Sequence, residues 1–149
     1  MYRRKIFEKV SAFDARVNPA ADYEIYLRIA RQFPIYHHSQ IITEYRQHQT
    51  SMSKKFDLML ENVLAVLYAQ NEFVKDNKSY QNALKKSISS YKYYYLEGTC
   101  YQIIGLLKTR DWKKSIDQSS ILFRYPTMLP KILFNIIKDK LNRINGFQI

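Results

Sequence analysis

The segment IYHHSQIITEYRQH, residues 35 to 48, decides how the chain is classed. Its period gives two short strands, IYHH and QIITEYRQH. In the second, Ile41, Thr43 and Tyr45 alternate with Ile42, Glu44 and Arg46, the period-two pattern of an extended, two-faced segment. Arg46 and His48 then share one strand face. The adjacent His37 and His38 point to opposite faces and cannot together hold a metal. Strands here make residues 1–53 a mixture of short α and β elements.

Upstream, RRKIFEKV reads as a short helix and SAFDARVNPA as a loop. Asn18-Pro19 is a helix-start signal, with Asn as the cap and Pro in the first turn. The helix runs to about Phe33. Tyr23, Tyr26, Leu27, Ala30 and Phe33 recur at helical spacing, and Pro34 ends it. From Ser53 onward the texture changes, and the spacing predicts four helices. The first starts at a Ser53 cap and carries Phe56, Met59, Leu60, Val63, Leu64 and Leu67 on one face. The second covers about 79–107 and holds the cluster Tyr91, Tyr93, Tyr94, Tyr95 and Tyr101, with Lys85, Lys86 and Lys92 beside it. After a turn at Thr109-Arg110-Asp111, the third covers 112–123, with Trp112 expected to anchor a helical hairpin. Pro126 and Pro130 bracket the start of the fourth, which runs to about Arg143. Its apolar stripe and its basic residues, Lys131, Lys138, Lys140 and Arg143, suit core packing first and contact with a membrane surface second.

Composition narrows the function classes. With 46% hydrophobic residues the 149-residue chain can fold. Its three glycines, Gly98, Gly105 and Gly146, are scattered, so there is no Gly-rich phosphate loop. The single cysteine, Cys100, excludes an internal disulfide and a CxxC metal site, and a free thiol fits a reducing, cytoplasmic setting. Neither a secretory leader nor an apolar run of membrane-spanning length is visible. The net charge is +11, spread along the chain. It favours anionic partners without choosing among them.

Several short motifs of the first 53 residues stand in a familiar order. They are Arg3-Arg4, Phe7-Glu8, Phe13-Asp14, Asp22-Tyr23, Leu27-Arg28, Tyr45-Arg46, His48 and Ser51 with Ser53. In this order they resemble the acceptor-side half of family 2 glycosyltransferases with the GT-A fold. The family's paired glycines before Phe-Asp are Ser11-Ala12 here, and the acidic neighbour of its base is Ala21. The resemblance implies a mixed, mostly α chain: an incomplete GT-A-type α/β portion with two short strands over 1–53, then a helical C-terminal extension over 54–149.

It also implies a function, the transfer of a sugar from a nucleotide-sugar donor to an acceptor hydroxyl. Asp22 is then the candidate general base, and Asp14 and Arg28 belong to the acceptor-side loop. Arg46 and His48 lie near the donor diphosphate, with His48 a candidate ligand for a divalent metal, Mg or Mn. The family's Asp-x-Asp metal motif does not occur in this sequence. The resemblance therefore predicts a completing donor-binding half and an inactive isolated chain, set in the cytoplasm or at the inner face of a membrane whose lipid-linked acceptors it serves. Read by helix rules alone, Asp22 is a helix-start carboxylate. The competing reading of the whole chain is a basic, non-enzymatic helical adaptor for an anionic membrane, a protein partner or, less favoured by the residues, nucleic acid.

Overall fold

The computed structural model describes residues 3–37, 39–41, 43–44, 46 and 51–145. Their α-helices, in chain order, are α1 (Ile6–Lys9), α2 (Ala21–Ala30), α3 (Phe56–Tyr68), α4 (Asn71–Val74), α5 (Lys78–Lys108), α6 (Trp112–Ser119) and α7 (Leu129–Asn145). Single 3-10 turns sit at Ala15–Val17, Met52–Lys54, Leu122–Arg124 and Pro126–Met128. The chain divides into two compact units, Met1–Ile88 and Ser89–Ile149, and the residue 88/89 division falls inside α5.

In the first unit, Val10, Ile25 and Ile29 form a buried cluster with Ile6 and Phe33 packed on it. Full burial of one such side chain stabilises by roughly 1.5–3 kcal/mol. The buried face of α2 is thus Ile25 and Ile29, not the predicted face containing Tyr26 and Ala30, both of which are exposed. The helix carries apolar residues on most of its circumference, so spacing alone admits two faces. α3 packs on α2 and on the turns at Ala15–Val17 and Met52–Lys54. It buries Leu60, Val63, Leu64, Val66 and Leu67.

Among the described residues of the second unit, Tyr95, Leu96, Cys100, Ile121, Ile132 and Ile136 are the buried apolar side chains. Tyr95 stacks on Tyr91 with ring centroids 6.2 Å apart and meets the edge of Tyr94 at 5.1 Å. The Asn135 amide donates to the Tyr93 hydroxyl at 2.7 Å, joining α7 to α5, and that hydroxyl donates to Glu97 at 3.0 Å. The Lys92 ammonium lies 5.1 Å from the centre of the Tyr125 ring. Helix α5 closes in a Schellman turn: Asp111 N–H donates to Leu106 and Arg110 N–H to Leu107. Arg110 takes the left-handed position, with φ 58°. Asp111 then caps α6, accepting the Lys114 backbone N–H at 3.3 Å and its ammonium at 2.8 Å.

The expected α/β portion is not found. No strand occurs among the described residues, which are mostly helical. Ile35, Tyr36 and Ile41 are 69%, 87% and 90% exposed. The physical reason is that alternation supplies a face but no partner: a strand is stable only where another strand satisfies its backbone and a layer covers its face. His38, Ile42, Tyr45 and His48 lie outside the described residues.

Three further expectations change. Asn18 does not cap α2, because its N–H closes the preceding turn onto Ala15; α2 begins at Ala21. The described residues after 53 form five α-helices instead of four. The first ends at Tyr68, where its buried stripe runs out, and Gln70 folds back onto the Val66 carbonyl at 2.9 Å. Trp112 is exposed, so it anchors no core.

Candidate functional site

The best-organised polar arrangement in the first unit is the loop at Ser11–Asp14 held against α2. Four bonds from one guanidinium build it. Arg28 donates Nη1 to the Ser11 carbonyl at 2.8 Å and Nη2 to the Ala12 carbonyl at 3.0 Å. It also pairs in fork geometry with Glu24, Nε to Oε1 at 3.0 Å and Nη2 to Oε2 at 2.6 Å. Both side chains are largely buried, at 18% and 19% exposure. A planar guanidinium can serve a carboxylate and two carbonyls at once; an ammonium cannot. The sequence marks Arg28 but not its orienter Glu24, although the i,i+4 spacing of an acid before an arginine on a helix is a legible signal. The two carbonyls carry no side-chain signal at all.

Asp14 ends the loop. Its carboxylate accepts the Arg16 backbone N–H at 2.9 Å and forms a two-pronged pair with the Arg16 guanidinium, the closest contact 2.7 Å. The Arg16 side chain, then its backbone N–H, hold the Asp14 carboxyl down at about 2, and the nearby Arg28 charge adds to this. Asp14 therefore stays ionised and already partnered, which suits a loop-fixing role.

Asp22 sits in the first turn of α2 and is exposed. Its Oδ1 accepts the neighbouring Tyr23 N–H at 2.7 Å, and among the described residues no ion pair occupies it. The structure thus brings Asp14 and Arg28 together and presents Asp22 on the helix that Arg28 secures.

Arg46 is exposed and outside any helix. Among the described residues no hydrogen bond or ion pair joins it to Asp14, Asp22 or Arg28. His48 falls outside the described residues. Among those described, no three His, Cys, Asp or Glu side chains converge to hold a metal.

Elsewhere in the first unit, a shallow cleft of about 250 Å³ is lined by Asn71, Val74, Lys75, Gln81, Leu84, Lys85 and Ile88. Its titratable groups are the two lysines, and it holds no base. Arg31 stacks on Phe73, 3.7 Å from the ring centre. Cys100 is buried, and burial pushes its thiol pKa up, away from nucleophilic chemistry. Among the described residues no helix is long and apolar enough to cross a membrane. Comparison with family models, with curated proteins and with solved structures returns no match.

Proposed function

We propose that residues 11–31 supply the acceptor side of a sugar-transfer site, with Asp22 as its general base. The Arg28 clamp is the observation that carries this reading. One largely buried guanidinium fixes the 11–14 loop against the helix whose first turn presents an exposed carboxylate. A base must be held in place while remaining open to its substrate, and this arrangement meets both needs.

In the reaction, the Asp22 carboxylate takes the proton of an acceptor hydroxyl. The freed oxygen bonds to the anomeric carbon of a nucleotide sugar, and the bond from that carbon to the diphosphate breaks. The nucleoside diphosphate leaves with the electron pair. Arg46 is available to pair with phosphate. Because the sequence contains neither a Gly-rich loop nor an Asp-x-Asp pair, the donor side of the site is assigned to other polypeptide, and the proton transfer at Asp22 stands apart from any metal held there. The cytoplasm, or the cytoplasmic membrane face, is where nucleotide-sugar donors would be met.

The test is made in the cells that encode the chain. Asp22→Asn, placed at the native locus, should lower one glycan product by about 10²–10⁴-fold in rate, the usual worth of a positioned base, with protein abundance unchanged. Glycan profiles by mass spectrometry that are identical in wild type, Asp22→Asn and a deletion strain would leave the adaptor reading in its place.

A further inference from the structure

Helix α7 has two apolar faces, and the second unit uses one of them. Ile132 and Ile136 are buried. Leu133, Phe134, Ile137 and Leu141 are 47%, 66%, 58% and 53% exposed. At 3.6 residues per turn these four fall with the exposed Pro130 on a single stripe opposite the buried one. Exposed lysines run along both borders, Lys131 and Lys138 on one side and Lys140 on the other. Asp139, the single acidic residue of the helix, lies away from the stripe, next to the buried face.

We infer that α7 docks in the plane of an anionic lipid bilayer, with the Leu133/Phe134/Ile137/Leu141 stripe among the upper acyl chains and the three lysines at the phosphate level. The order of groups across the helix selects this occupant. An apolar centre with cationic borders matches a surface that is apolar below and anionic above. A nucleic acid would leave the apolar centre unused. A second copy would bring lysine borders of a +11 chain together. Long lysine stems extend the apolar contact while their charges stay at the interface. At 17 residues the helix gives a flat contact about 25 Å long. It would lie on the bilayer without crossing it, consistent with the absence of a membrane-crossing helix among the described residues. This inference rests on α7 alone and is independent of the role given to Asp22.

The test is co-sedimentation of the full chain with phosphatidylcholine vesicles and with vesicles enriched in phosphatidylserine. Binding to the second and not the first is expected. The pair Phe134→Ser with Ile137→Ser should abolish it. Lys131→Gln with Lys138→Gln should weaken it by about fivefold per lysine. All four positions are exposed, and unchanged helical circular dichroism checks that each variant folds. Binding that ignores the Phe134/Ile137 pair and vanishes with salt would overturn the inference in favour of a merely basic surface. So would failure to bind anionic vesicles, or a dimer in analytical ultracentrifugation that Phe134→Ser dissolves, which would give the stripe to a second copy.

Discussion

At the scale of single residues, Arg28 is the side chain on which most depends. Removing its guanidinium leaves the largely buried Glu24 carboxylate and the Ser11 and Ala12 carbonyls without their donor. Arg28→Ala should destabilise the first unit by about 2 kcal/mol, more than an exposed ion pair is worth, because a desolvated acceptor loses its partner. Arg28→Lys should recover little of this, since an ammonium cannot fork. Hydrogen exchange of the α2 amides is the measurement, and equal protection in Ala and Lys variants and wild type would refute the clamp.

Asp14 gives a second test. Its folded pKa of about 2 lies below the ordinary value near 3.9. A depressed carboxylate contributes stability that is present above about pH 4 and lost as pH falls through 2. The carboxyl carbon followed by NMR should titrate near 2, and in Arg16→Ala should return toward 3.9. The general-base role proposed for Asp22 rests on its company in the sequence. The clamp that holds its helix was not legible there, because two of its acceptors are backbone carbonyls.

At the scale of elements, punctuation was easier to read than periodicity. The α5 boundaries at Lys78 and Lys108 fall within a residue of those expected, and α7 begins where Pro126 and Pro130 place it. Asp111 was correctly read as part of a turn; as a cap it ends one helix and starts another. The alternation read over 40–48 misled: its described residues form no strand, because alternation supplies a face but no partner. Spacing in α2 misled because its apolar residues nearly encircle it.

The α5 end makes a prediction of its own. Arg110 occupies the left-handed position that glycine adopts without steric cost. Arg110→Gly should therefore raise stability by about 1 kcal/mol, read as a higher melting temperature. A lower one would mean that the arginine side chain contributes more than its backbone costs.

At the scale of the whole molecule, the texture change near residue 53 and the division into compact units do not coincide. Composition marks where the helical pattern begins, which is within the first unit. The division between units, at Ile88 and Ser89, lies in the middle of a regular 31-residue helix. No proline or glycine marks it, and the polar run Lys85-Lys86-Ser87-Ile88-Ser89-Ser90 that spans it stays helical. Packing decides it: the chain up to Ile88 makes its contacts within the first unit and the chain from Ser89 within the second. Net charge is legible at this scale without any structure, and the lysine borders of α7 put part of that charge where it has a use.

The unbroken passage of α5 between the two units has a consequence for how the chain can be cut. Proteases sever domains at linkers, where an extended backbone can enter the enzyme's cleft. Here the seam is helical, each peptide group engaged along the axis, and it offers no such entry. The vulnerable bonds are instead around Ile35 and Tyr36, exposed and outside any helix. Digestion there would put α3 to α7 on one long fragment and the Asp22 helix on the other, the two still held by the packing of α2 on α3 until the fold is denatured. One nick thus puts the carboxylate and the lysine-bordered stripe on different polypeptides, while the helical boundary between the units offers no such cut.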